Sequence, residues 1–526
     1  MDSNNPFIRE KSGLVKELSW FDIMLMAIAA PAASGILYYA VNMQTKFPGG
    51  SVGLAFLLGA IAFFPIVYLL ALLSSGMPRA GSLYVGVSRV ISPTMGYIGA
   101  ILYVIAQALV AGILGYIIMT LLGGIFIMAG NAYSSDSLIS IGGFLSSKTG
   151  SIIGGILWVI LFWFVTLKGM RIFKKVMRIF FYIPLAASLI IIFYFLFTSN
   201  GNAIEMFDKT WGTGSFQEVI NIANNFGWQP SSFSIGSTIG LFLIVVWAYN
   251  GIETSCYAGS EIQNPNKSIM KGFIFGWLGV SLLYILIAFV VFKPFGDFIS
   301  IFDFVANNKE AQALLPGNLA NVRPSIPFFI ISISKIPLLG ICLALMVVLW
   351  FANSIPPAFL ATSRIIFALS MDRAIPSCFS KYNETSGAPT WATHAVAIIA
   401  ILGVLFQTFD VSLVIGTTMF CAFFIFSLYG LTGILLPYKK PEIYRQFPVK
   451  KNFLGMPLVS LFGLISFFIS CFFILLTLKE IVQSYSMMVV LSGIITVIMI
   501  LYWYQQKKNS QDGVSVDRIY SQLPPE

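Results

Sequence analysis

Charged residues are scarce in this sequence: 10% of its 526 positions, where a soluble globular domain carries about a quarter. A soluble chain of this length divides into several domains with polar surfaces between them, and so little charge leaves nothing to build those surfaces. Histidine occurs once, as His394, and cysteine five times with no CxxC spacing. That removes the common donor sets for a metal and gives no reason to expect a disulfide framework. There is no HExxH, no carboxylate cluster and no glycine-rich phosphate loop, so an enzyme would lack its parts. No filter motif or repeated charged rim points to a channel, and direct ATP drive would need a partner chain. The polar lead of about twenty residues is not followed by an A-x-A-like site, so no cleavable signal peptide is expected.

What the sequence has instead is apolar length. Apolar residues make up 57% and aromatic residues 15%. A hydrocarbon core of ~30 Å takes about 20 helical residues, and twelve runs qualify: 20–43, 51–75, 95–122, 150–167, 178–198, 236–259, 271–292, 336–369, 391–409, 411–436, 456–478 and 485–504. The run at 336–369 is too long for one straight span. The expected fold class is therefore an all-α polytopic membrane protein.

The net charge of +10 points to topology rather than to nucleic acid, because the basic residues fall on alternate connections. Arg9, Lys11 and Lys16, Arg79 and Arg89, Lys168 to Arg178, Lys267 and Lys271, Arg364, Arg373 and Lys381, Lys439 to Lys451, and Lys507 to Arg518 all lie on one side. They outnumber the basic residues of the other side by roughly three to one, which puts both termini in the cytoplasm of a plasma-membrane protein. The chain then divides into a tail at 1–19, spans 1–5 at 20–198, an external loop at 199–235, spans 6–10 at 236–436, spans 11–12 at 437–504 and a tail at 505–526. Both tails, and the outer stretches near 199–235 and 293–335, read as unstructured or as no separate domain.

Two spans carry helix-breaking residues near their middles, and such a matched pair points to a transporter site. Span 1 contains Ala30-Pro31-Ala32-Ala33-Ser34-Gly35, and span 6 contains Trp247-Ala248-Tyr249-Asn250-Gly251-Ile252-Glu253. Proline lacks an N–H and glycine accepts backbone angles that other residues resist. An open helix at mid-membrane leaves N–H and C=O groups that must be buried or satisfied. A ligand with a carboxylate and an ammonium suits both kinds of group, although two kinks packed on neighbours would also account for the spacing. Glu253, deep in an apolar run, is the most informative charge. It reads either as a proton acceptor coupled to transport or as a cap on loose N–H groups. Gln107 and Asn353 are buried amides that either contact substrate or bridge helices.

Through these motifs and others in the same order, the sequence resembles the amino acid–polyamine–organocation family of permeases. The agreement runs in order through Ser34-Gly35-Ile36, then Pro78-Arg79-Ala80-Gly81-Ser82-x-Tyr84 with Arg89 and Gly96, then the Trp247–Glu253 stretch. It continues with Glu261-x-x-Asn264-Pro265-x-Lys267-Ser268-Ile269, then Ser363-Arg364, Asp372-Arg373-x-x-Pro376 and Pro389. The resemblance implies a leucine-transporter-like fold, with two inverted five-helix repeats, helices 1 and 6 discontinuous, and two extra helices. It implies a secondary active amino acid permease working by alternating access, coupled to protons, sodium or exchange. Transport of polyamines or other organic cations, or an uncoupled channel or sensor on the same scaffold, is the alternative.

The resemblance also implies site residues. Ser34, Gly35 and Ile36 would hold the substrate carboxylate; carbonyls around Ala30, Trp247 and Asn250, beside Gly251, would receive the ammonium. Ala106, Gln107 and Ala111 would line the pocket, and Trp247 would serve as an aromatic gate; Asn353 is a candidate beside them on its own reading as a buried amide. The expected partners are an amino acid or amine and membrane lipid, in a monomer or homodimer without a cofactor other than a coupling ion. Two departures stand out. Ala30-Pro31-Ala32-Ala33 replaces the family's usual glycines, and Pro184 stands where some proton-coupled members carry a lysine.

Overall fold

The computed structural model describes residues 11–525 apart from 44, 320–321 and 408–410, and further residues whose side chains are left undescribed, Ser34 among them. Among the described residues, twelve helices correspond in order to the twelve apolar runs: α1 (Trp20–Ser34), α2 (Val52–Gly76), α3 (Pro93–Ala132), α4 (Lys148–Leu167), α5 (Met170–Phe197) and α6 (Ile235–Val245). Then come α7 (Pro265–Val290), α8 (Pro337–Met371), α9 (Thr390–Phe406), α10 (Val411–Lys439), α11 (Leu458–Gln483) and α12 (Tyr485–Gln511). Among the described residues, ten helical stretches are long and apolar enough to cross a membrane, counting α6 together with the short turns that follow it to Tyr257. The protein is a polytopic all-α membrane protein of about twelve helices, as its composition predicts.

Helix starts follow local chemistry. Ser19 and Asp22 form a reciprocal cap on α1, and Arg178 of α5 grips Asp22 at 2.7 and 3.0 Å. Ser51, Ser92 and Ser147 accept from the first turns of α2, α3 and α4. The outward faces of α4 and α5 are apolar: Leu157, Phe164, Phe193 and Phe197 are exposed, as suits a surface solvated by lipid. Where helices cross closely, small residues allow it. A Cβ on Gly112 would sit 1.8 Å from the Ala400 carbonyl oxygen, which locks α3 against α9. His394 takes an indole N–H from Trp163 of α4 at 3.1 Å, which ties α9 to α4.

Three regions differ from expectation. α3 has 40 residues, about 60 Å at 1.5 Å per residue, twice what the core needs. The stretches 199–235 and 293–335 fold into helices, including Asn200–Trp211, Ser215–Asn225, Phe298–Asn307 and Ile326–Ile333, that together build an aromatic cap. Phe216 and Phe298 stack at 3.8 Å between ring centroids, Phe207 lies edge-on to both, and Trp211 donates to Ser332 at 2.8 Å. Their polar composition hid the cap because its aromatics come from segments far apart in the chain. The tail after 505 is ordered too: α12 continues to Gln511, and a short helix, Val516–Tyr520, docks back on the helix ends.

Candidate substrate site

The two interrupted helices meet, and they are interrupted differently. α6 ends in a tight 3-10 turn, Val246–Tyr249, after which Asn250 is extended and Gly251 turns left-handed at φ +106° before a second 3-10 segment, Ile252–Tyr257. Only glycine adopts that φ without strain. A Cβ there would come within 3.3 Å of Ala30, so the break of α6 lies directly against α1. α1, by contrast, stays α-helical through Pro31 to Ser34 and then widens into a π-helical turn, Gly35–Tyr39. Its irregularity falls a turn later than the Ala30–Gly35 motif suggests, and the Gly35 N–H is spent on the Ala32 carbonyl.

Backbone groups loosened by these turns find side chains. Glu253 is fully buried. Its Oε2 accepts the Gly251 N–H at 2.9 Å; its Oε1 accepts the Tyr103 hydroxyl at 2.9 Å and the Gln107 amide at 3.3 Å. One carboxylate thus caps the broken helix and ties it to α3. Tyr284 of α7 donates toward the carbonyls of Pro31 and, at 2.8 Å, Ala248, spanning both interrupted helices. Ser354 of α8 donates to the Ala29 carbonyl at 3.0 Å. The Gly251 N–H, left without a helical partner by the break, would otherwise cost several kcal/mol in a lipid-like medium.

Other expected residues are placed as follows. Trp247 is half-buried, and its carbonyl accepts the Asn250 N–H at 3.0 Å. Ala30 faces Gly251. Gln107 and Ala106 are nearly buried and Ala111 fully so. Ile36 is buried in the π turn, and the Ser34 side chain lies outside the described residues. Asn353, next to Ser354 on α8, is fully buried, yet neither its Oδ1 nor its Nδ2 has a protein partner; the Asn250 Oδ1 has none either. Asn353 therefore does not bridge helices. Tyr284 and Tyr103 escaped the sequence reading; a hydroxyl inside an apolar run was the only signal, shared with many tyrosines here.

At the end of the bundle nearest the termini, two buried ion pairs close the interior. Arg364 of α8 holds Glu261 in a two-pronged bond at 2.7 and 2.8 Å. Arg89 holds Asp372 through both guanidinium nitrogens, one at 2.8 Å, and Tyr84 adds a bond to Asp372 at 2.8 Å. Both arginines are at least 95% buried, with relative exposures of 5% and 1%. The Glu261 carbonyl also takes the N–H groups of Glu17 and Leu18, so the segment before α1 joins this closure.

Comparison with known proteins agrees with this architecture. Residues 18–500 match the model of a family described as amino acid permease. The branched-chain amino acid permease of Bacillus subtilis (strain 168) is 24% identical over 54% of this chain, an alignment that spans about half, 54%, of that relative's own length. The methylthioribose transporter of the same organism is 21% identical over 84% of this chain and 85% of its own. An arginine/agmatine antiporter of Chlamydia pneumoniae is 26% identical over 54% of this chain and 53% of its own. The near-complete span of the family match, on a twelve-helix bundle with helices 1 and 6 interrupted, means that this chain belongs to the amino acid permease family of the amino acid–polyamine–organocation superfamily.

Proposed function

We propose that the chain is a secondary transporter that carries a neutral amino acid across the plasma membrane by alternating access, with both termini in the cytoplasm. The observation that carries this reading is the unpartnered Asn353 amide beside the interrupted helices. Leaving a buried amide unsatisfied costs about 1–3 kcal/mol, and a bound ligand repays it. Spans 1–5 and 6–10 act in this reading as inverted halves, with the substrate between them.

A neutral substrate follows from how Glu253 is used. Both of its oxygens are committed to donors of the protein, which leaves no free carboxylate there for a cationic side chain. The same geometry supports proton coupling. Oε2 takes a single donor and keeps a lone pair for a proton, and a neutral carboxyl accepts more weakly than a carboxylate, so protonation would loosen the Gly251 turn and the tie to α3. Pro184 stands where some proton-coupled members carry a lysine, so the proton coupling in this reading rests on Glu253 alone.

Purified protein in liposomes, given a panel of radiolabelled amino acids with and without a pH or sodium gradient, tests the reading. Accumulation of a neutral amino acid driven by an inward proton gradient, abolished by Asn353→Ala, is the expected result. Flux that merely equilibrates would overturn coupling. Gradient-driven uptake with an unmoved pH profile in Glu253→Gln would remove Glu253 from that role.

A further inference from the structure

The tail after α12 lies on the buried ion pair between Arg89 and Asp372. Tyr520 is 6% exposed. Its ring packs under the Arg89 guanidinium at 5.0 Å, and its hydroxyl meets the Tyr84 hydroxyl at 3.3 Å. Tail carbonyls finish the coordination: Gln522 takes the Arg89 Nε–H at 3.1 Å and Pro524 takes the Arg79 Nε–H at 2.8 Å. Ile519 and Tyr520 form a small apolar cluster with Ala80, Phe367 and Met371. Asn509 anchors the start of the tail by donating to the Arg373 carbonyl at 2.8 Å. These contacts join the 82–90 helix, the end of α8 and the chain terminus, three segments that share no sequence neighbourhood.

Beneath this assembly runs a line of tyrosines toward the centre. Tyr84, Tyr257 and Tyr429 line one small cavity, together with Gly96, Gly99 and Ala100. Tyr257 and Tyr429 share a hydroxyl contact, the Tyr257 ring lies 4.9 Å from Tyr103, and Tyr103 reaches Glu253. Tyr520 therefore sits at the outer end of a packed line of tyrosines, the candidate route, whose inner end is the interrupted helix.

We propose that the C-terminal tail completes the gate at this end: Tyr520, seated on Arg89 and Tyr84, clamps the 82–90 helix to α8, and the tail must leave before the route opens to the cytoplasm. This rests on the transport reading above, with Tyr520 as a positioning residue that acts through Arg89 and Asp372. An Arg89 that loses the stacked ring and the Gln522 carbonyl is left with Asp372 and Ser88. Separating α8 from the 82–90 helix then becomes easier.

Three forms test the gate in the detergent-purified full protein carrying Ala100→Cys: the intact tail, a chain ending at Gly513, and the intact chain with Tyr520→Ala. The readout is the rate of modification at position 100 by a bulky maleimide, counted above the background of the five native cysteines. Both altered forms should label about tenfold faster or more, since the shortened chain loses a bond to a charged group and Tyr520→Ala loses a buried cation–π contact, each worth about that much in an equilibrium. Their exchange of labelled amino acid in liposomes should also rise. Tyr520→Phe, which keeps the stacked ring and loses the hydroxyl, should fall between. Labelling unchanged or slower in Tyr520→Ala overturns the proposal. If the shortened chain does not purify, Tyr520→Ala in the full chain carries the test alone. Labelling needs no substrate, so a protein that transports nothing in the panel sinks the transport reading and leaves the gate measurement standing.

Discussion

The two interrupted helices began as equivalent motifs, and the structure makes them opposites. α6 opens fully at Asn250 and Gly251, and it carries its own remedy three residues from Asn250, since Glu253 takes the freed Gly251 N–H. α1 does not open at Pro31; it bends through a π turn, and hydroxyls from α7 and α8 attend its carbonyls. An opening that caps itself can persist while its surroundings move. A helix held from outside changes only when α7 and α8 change with it. In the proposed transport cycle, the difference would make α6 the fixed side of the site and α1 the part that responds to neighbouring helices.

The largest way to break this contrast is Glu253→Ala. It strands the Gly251 N–H, the Tyr103 hydroxyl and the Gln107 amide together, and each buried orphan costs about 1–3 kcal/mol. Thermal unfolding in detergent should show a loss of about 3 kcal/mol or more. A smaller loss means that α6 is held by packing rather than by its own carboxylate. Next is Gly251→Ala. A side chain at φ +106° is strained by about 1–3 kcal/mol, and the new Cβ presses on Ala30. The expected cost is about 2 kcal/mol, with transport slowed more than the stability loss alone predicts. Unaltered transport would mean that this turn takes no part in the cycle.

Much of the fold was legible because its signals are local. Twelve apolar runs and alternating basic connections need no knowledge of distant contacts, and Gly251 with Glu253 announced the α6 break within three residues. What stayed hidden depends on long sequence separations. Tyr284 meets Pro31 across more than two hundred residues, and Tyr520 meets Tyr84 across more than four hundred. The tail looked like a solvated polar end because its apolar residues are few, and the partners of Ile519 and Tyr520 among them lie far away in the sequence. Asn353 was named, but whether it bridged helices or stood unpaired could be learned only from the space around it.

The smallest expected effect is at Pro31, and it is the one that most sharpens the comparison. Proline inside a helix usually costs about 3 kcal/mol through its missing N–H and its clash with the preceding turn. Here α1 remains helical around it, and hydroxyls of Tyr284 and Ser354 reach the Pro31 and Ala29 carbonyls. Pro31→Ala supplies an N–H that can reach Ala27, a gain of about 0.5–1.5 kcal/mol. Against it stands the greater freedom of the unfolded chain once the proline is gone, about 0.4–1 kcal/mol. The two nearly cancel, so the melting temperature should barely move, within about 0.5 kcal/mol of the parent. Transport should slow instead, because a fully bonded α1 resists bending at the place where α7 and α8 hold it. A loss of stability as large as that of Gly251→Ala would make the α1 interruption as firmly built as that of α6, and the division of roles between them would fall.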